Sequence, residues 1–131
     1  MPHFTVEYSA NLENDINFDD FFAQVHDNLG QSGVFPLGGI RSRAIRMDHY
    51  RVADNQHDYA FVHCLLKIGS GRDLDTLKQA GDSLFAVIEQ YFEPIQAQRL
   101  LAISFEMQEI HPTLTYKKNN IHAFLKQQQG D

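Results

Sequence analysis

Alternation begins almost at the first residue. Phe4, Val6 and Tyr8 fall on one side of an extended chain, and His3, Thr5 and Glu7 fall on the other. That two-residue period predicts a half-buried strand. After a polar stretch from Ser9 to Asp15 the period changes. Phe18, Phe21, Phe22, Val25 and Leu29 share one face of a helix. Asn17 is placed to cap its first turn, where Asp19 and Asp20 suit the helix dipole, and Gly30 and Gly33 are expected to end it. Phe35-Pro36-Leu37-Gly38-Gly39 reads as a turn. A second strand is expected from Ile40 to Met47, with a possible extension to Val52, followed by a polar turn from Ala53 to His57.

The third strand has the clearest pattern. Between Tyr59 and Ile68 the residues Ala60, Val62, Cys64, Leu66 and Ile68 share one face, and Tyr59, Phe61, His63, Leu65 and Lys67 the other. Gly69-Ser70-Gly71-Arg72 breaks it. A long helix follows from Leu74 to Phe92, with Leu74, Leu77, Gly81, Leu84, Ile88 and Tyr91 as its inner stripe, Asp73 as its cap and Pro94 near its end. A fourth strand, Leu100 to Ile110, carries Leu101, Ile103, Phe105 and Met107 on one face. The tail from His111 is polar, and residues 126–131 are expected to fray.

The order is β-α-β-β-α-β in one domain spanning residues 1–131. Each β-α-β half implies a parallel strand pair joined by a right-handed crossover. Two helices cover one face of a four-stranded sheet. The apolar groups expected on the other face then require self-association.

Composition narrows the function classes. With 43% hydrophobic and 21% charged residues the chain has the make-up of a soluble globular protein. A net charge of -6 disfavours nucleic acid and anionic membrane surfaces as partners. Any anionic substrate must be held by local cations against that field. No run approaches the roughly 20 apolar residues of a membrane span. The N-terminus lacks the basic and apolar regions of a signal peptide, so the cytoplasm is the expected compartment. Cys64, the single cysteine, reads as a small buried hydrophobe.

Pro2 is a candidate base. Removal of Met1 would leave a secondary amine at the end of a strand, usable near neutrality if desolvation or positive charge lowers its pKa. With Met1 attached, the same nitrogen is an amide and has no basicity. Arg41 and Arg43 share a strand face, and Arg46 and Arg51 follow as solvated charges. Arg72 sits in a glycine-rich turn just before a helix, a setting that favours an anion. The seven histidines include no H-x-H or H-x-x-x-H pair, so a metal site is not expected. His63 reads as structural. No G-x-S-x-G elbow is present.

Five ordered blocks carry a resemblance. They are Pro2-His3-Phe4, residues 35–43 from Phe35 to Arg43, residues 53–63 from Ala53 to His63, residues 67–72 from Lys67 to Arg72, and His111-Pro112-Thr113-Leu114. Together they resemble the 5-carboxymethyl-2-hydroxymuconate Δ-isomerases of the tautomerase superfamily, over about residues 2–125. The resemblance implies an α+β fold of tautomerase type, a four-stranded mixed sheet with two helices on one face, assembled as a homotrimer. It implies an N-terminal proline base at Pro2, substrate-binding arginines at Arg41 and Arg72, a small carboxylate substrate, and neither metal nor organic cofactor. The implied reaction turns a 2-hydroxymuconate dienol into its conjugated 2-oxo isomer in the homoprotocatechuate branch of aromatic degradation. Two alternatives stay open on the residues: a superfamily enzyme acting on another unsaturated acid, and a non-catalytic trimeric interaction protein. Whether both arginines reach Pro2 from one chain is also open, since the end of one strand and the start of a parallel one lie apart.

Overall fold

The computed structural model describes residues 1–129. Its strands are β1 (His3–Ser9), β2 (Arg41–Met47), β3 (Ala60–Gly69) and β4 (Leu101–Ile110), and its helices are α1 (Phe18–Gln31), α2 (Leu74–Gln96) and α3 (Ile121–Gln129). The sheet order is β2-β1-β3-β4. β1 pairs with β2 in parallel and β3 with β4 in parallel, and the two pairs meet antiparallel at β1 and β3. The sheet is therefore mixed, made of the two β-α-β halves that the periodicities predict.

The core forms where the alternating faces point at the helices. Phe4, Val6, Cys64, Leu66 and Ile68 from the sheet meet Phe21, Val25, Leu29, Leu84, Ile88 and Phe92 from α1 and α2, all of them fully or almost fully buried. Phe21 stacks edge-on against Phe92, with ring centroids 5.1 Å apart. Burial also pushes the Cys64 thiol up to about 12, which leaves it no thiolate to act as a nucleophile at neutral pH. The Asn17 side chain caps α1 by accepting from the Asp20 backbone N–H at 3.1 Å.

Several boundaries differ from the expected ones. α1 runs through Gly30 to Gln31 and stops at Ser32, because Gly33 takes a φ of 74° that turns the chain out of the helix. β2 stops at Met47 without reaching Val52. α2 continues past Pro94, and its Asp73 side chain makes no cap hydrogen bond. Leu74 is 78% exposed, so the inner row of α2 is Ala80, Leu84, Ile88 and Phe92. Gly81 lets β4 come close: a Cβ there would lie 2.8 Å from the Met107 sulfur.

Two corrections matter more. The apolar side of β4 faces the helices: Leu101, Ile103, Phe105 and Met107 register with Ala60, Val62, Cys64 and Leu66 and pack on the core. The open sheet face therefore carries Ala102, Ser104 and Glu106 on β4, and its larger apolar groups include Ile45, Phe61 and Leu65. The tail is not all frayed, since residues 121–129 form α3. The remainder of the expected fraying, at residues 130 and 131, falls outside the described residues.

Candidate active site

Topology brings the singled-out residues to one end of the sheet. β1 begins where its parallel neighbour β2 begins, and the Arg41 backbone N–H donates to the Pro2 carbonyl at 3.0 Å. Because β3 is antiparallel to β1, its C-terminal end also lies here: His3 pairs with Lys67. Gly69 and Arg72 follow directly. The backbones of Pro2, Arg41 and Arg72 thus lie at the same end of the sheet within one chain.

Pro2 is buried and lines a cavity of about 470 Å³ together with Met1, Phe35, Gly39, Gly69, Arg72, Lys117 and His122. The Arg72 guanidinium is held by three interactions. Nη1 donates to the Gly69 carbonyl at 3.0 Å, Nη2 donates to the Val34 carbonyl at 3.2 Å, and the group lies 4.9 Å over the Phe35 ring. A guanidinium has five N–H donors. Two are used here, and among the described residues the others have no hydrogen-bond partner. Arg41 is not part of the cavity lining; its Nη1 donates to the Gly39 carbonyl at 2.9 Å, so it stands next to the cavity through Gly39.

The electrostatics match this geometry. The N-terminal amine is held below the ordinary α-amine range, chiefly by burial and then by the charges of Lys117, Arg72 and Arg41. Each of these disfavours the ammonium form. His3 is likewise held below the usual imidazole range, first by burial and then by Arg43, Arg41, the N-terminus and Lys67. The amine still belongs to Met1, and the nitrogen of Pro2 is an amide. A hollow of similar volume lies between α2 and β4, lined by Phe85, Glu89, Glu93 and Ile103 among others, and no cation lines it. Of these two, the first is the one that offers an anion a cation.

Two lining residues, Lys117 and His122, had no signal in the sequence reading. Both come from the C-terminal segment. Asn119 fixes that segment: its Nδ2 donates to the Gly38 carbonyl at 3.0 Å, and its Oδ1 accepts from the Ile121 N–H at 2.7 Å, which caps α3. His122 then packs on Gly38 and Gly39. The pair of glycines, read from the sequence as a turn, is a seat for this helix.

The remaining residues lie elsewhere. Arg43 Nη1 is 3.2 Å from His3 Nδ1, and Arg46 pairs with Asp48 at 2.8 Å. His63 lies on the open sheet face, with Nδ1 2.6 Å from Ser104 Oγ and Nε2 3.3 Å from Glu106. Among the described residues no group of three or more His, Cys, Asp or Glu side chains is arranged to hold a metal ion, and no helix is long and apolar enough to cross a membrane.

Comparison with known proteins places this geometry among relatives. The family model described as 5-carboxymethyl-2-hydroxymuconate isomerase matches residues 2–125. The 5-carboxymethyl-2-hydroxymuconate Delta-isomerase of Escherichia coli is 50% identical over 126 residues, covering 96% of this chain and 100% of its own. The crystal structure of a 5-carboxymethyl-2-hydroxymuconate isomerase from Deinococcus radiodurans R1 superposes with a TM-score of 0.87 at 41% identity, covering 95% of this chain and 93% of that one. At 13% identity a fused 4-OT described as a symmetric trimer has a TM-score of 0.61, covering 88% of this chain and 93% of that one, a likeness of fold alone.

Proposed function

The chain belongs to the 5-carboxymethyl-2-hydroxymuconate isomerase family, and we propose that it converts that enol to its 2-oxo isomer with the amine of Pro2 as the base, once Met1 is removed. The observation that carries the reading is Pro2 itself. It is buried and lines a cavity in which burial and then nearby cations hold the amine of the adjoining Met1 below its ordinary range.

The neutral amine takes the proton of the 2-hydroxyl. The dienolate is then protonated at C5 by the same nitrogen, now cationic, and the base is regenerated. One nitrogen serves both ends if the substrate lies flat across it, and the arginines provide that constraint. Arg72, anchored by Gly69, Val34 and Phe35, offers its free N–H groups to a carboxylate. Arg41 adds positive charge from beside Gly39 and steadies the charge that develops on the 2-oxygen. The homoprotocatechuate branch of aromatic degradation is the setting that the family name indicates.

We further read the working form as a homotrimer. Ile45 is 46% exposed on the open face of the sheet, where Phe61 and Leu65 are half-buried. A second and third copy would cover this face.

The test is enol turnover by protein whose intact mass shows loss of Met1. Pro2→Ala keeps a terminal amine but makes it primary and mobile, and should lower kcat/KM by about 10²–10⁴-fold, the range of a positioned general base. Unchanged turnover in Pro2→Ala would overturn the assignment.

A further inference from the structure

The cavity beside Pro2 has a small neighbour of about 80 Å³, lined by Met1, His3, Gly69, Tyr116 and Lys117 among others. Met1, Gly69 and Lys117 border both spaces. The larger space is also lined by Phe35, Pro2 and Arg72, and the smaller by His3 and Tyr116.

Three carboxylates must be accommodated if the substrate is the one proposed above, on which this inference rests. A muconate skeleton has a carboxylate at each end, and the carboxymethyl branch adds a third. Arg72 matches one of them, and Arg41 stands toward the 2-oxygen and the carboxylate on the carbon beside it. In a chain of net charge -6 the third needs its own local cation. His3 is a poor choice, since burial and the nearby arginines hold its imidazole neutral near pH 7. Lys118 lines neither space. Lys117 lines both, and among the described residues it makes no ion pair. Of the charges acting on the Met1 amine beside it, that of Lys117 comes first, ahead of Arg72 and Arg41. A compact ammonium on a flexible stem suits a carboxylate that swings on a methylene arm, where the rigid fork of arginine suits one fixed to a planar diene.

We propose that Lys117 is the specificity-determining residue of this site, holding the carboxylate of the substrate's branch and so selecting tricarboxylates over dicarboxylates. The C-terminal segment, tied down through Asn119 and His122, positions it.

The test uses unreactive acids, so that binding is separated from chemistry. Propane-1,2,3-tricarboxylate and propane-1,3-dicarboxylate are titrated calorimetrically into the Met1-free protein and into its Lys117→Met, Lys117→Arg and Lys118→Met variants. The wild type should prefer the tricarboxylate by about tenfold or more, a typical gain for one well-placed charge pair. Lys117→Met should reduce that preference to about threefold or less and leave dicarboxylate binding unchanged. Lys117→Arg and Lys118→Met should retain it. In turnover, measured at a pH where the amine is fully neutral, Lys117→Met should act mainly on KM. Four results would overturn the assignment: no preference in the wild type, a preference that survives Lys117→Met, equal losses for both acids, or the same loss in Lys118→Met. A wild type that binds as expected yet fails to isomerise the enol would count against the isomerase reading, while the binding comparison still decides the role of Lys117.

Discussion

His122 lies so close to Gly38 that no side chain fits between them. A Cβ on Gly38 would fall 2.9 Å from the His122 ring Nδ1 and 3.1 Å from its backbone nitrogen and Cα. Backbone cannot swing aside as a flexible side-chain tip can, so Gly38→Ala should lift α3 from its seat. The expected cost is about 1–3 kcal/mol, typical of overpacking. The helix should also exchange its amide hydrogens faster, while α1 and α2 keep their protection. Protection of α3 equal to that of the wild type would show that the contact relaxes elsewhere.

Gly30 predicts the opposite sign. It lies inside α1, and a Cβ there would come no nearer than 3.8 Å to Leu37 Cδ1. Gly30→Ala should therefore stabilise the protein by about 0.5–1 kcal/mol, since alanine fits the helical backbone and restricts the unfolded chain. Chemical denaturation of the two alanine variants side by side checks both signs.

The depressed amine fixes the shape of the pH profile. Burial, Lys117, Arg72 and Arg41 all favour the neutral form of the Met1 amine, and the Pro2 amine freed by loss of Met1 would face the same cations from the same cavity. A base works when neutral, so kcat/KM should rise with pH through a midpoint below that of a free proline amine and then level off. Removing a cation raises the amine pKa. Lys117→Met should accordingly move the rising limb to higher pH, and a limb that stays in place would show that the charge does not act on the base.

Assembly is checked by mass. Sedimentation equilibrium should give three chains of 15.0 kDa each at micromolar concentration. Leu65→Arg places a charge on the open sheet face and spares the core, because the inward positions of β3 are Cys64 and Leu66. It should yield a folded single chain. A wild type that sediments as one chain would remove the trimer.

The sequence made the two β-α-β halves readable because their periods are clean and long. It left the meeting of those halves undetermined. Nothing in the alternation of β1 or β3 states their mutual direction, yet the antiparallel junction is what carries Gly69 and Arg72 to the start of β1. The face of β4 was also ambiguous, since a strand pattern shows that Leu101 to Met107 share a side but not which side the helices cover. α3 was missed for a different reason. It buries no residue, and Phe124 is 57% exposed, so it has no strong stripe. It stays in place through Asn119 and two glycines some 80 residues away, a long-range fit that local pattern cannot register. Lys117 and His122 are carried by that segment and were missed along with it.

The last prediction divides the arginines by what holds them. Arg72 is fixed by two backbone carbonyls and by Phe35, and it opens into the cavity. Arg41 is fixed by the Gly39 carbonyl, and its backbone N–H holds the Pro2 carbonyl at 3.0 Å. Both side chains are therefore ordered before substrate arrives, and preorganised charge is the kind that lowers a barrier. Arg72→Ala and Arg41→Ala should each lower kcat/KM by at least about 10²-fold, or roughly 2.7 kcal/mol of transition-state stabilisation. Among the described residues Arg43 has His3 as its one side-chain partner and Arg51 makes no ion pair or hydrogen bond, so Arg43→Ala and Arg51→Ala should stay within about tenfold. Arg72→Lys supplies a control, because an ammonium keeps the charge but cannot satisfy Gly69, Val34 and a carboxylate in one plane; it should recover only part of the loss. Thermal unfolding and sedimentation of each variant separate lost chemistry from lost structure. Should Arg43→Ala or Arg51→Ala prove costlier than both Arg41→Ala and Arg72→Ala, the binding arginines have been placed on the wrong residues, whatever becomes of Pro2.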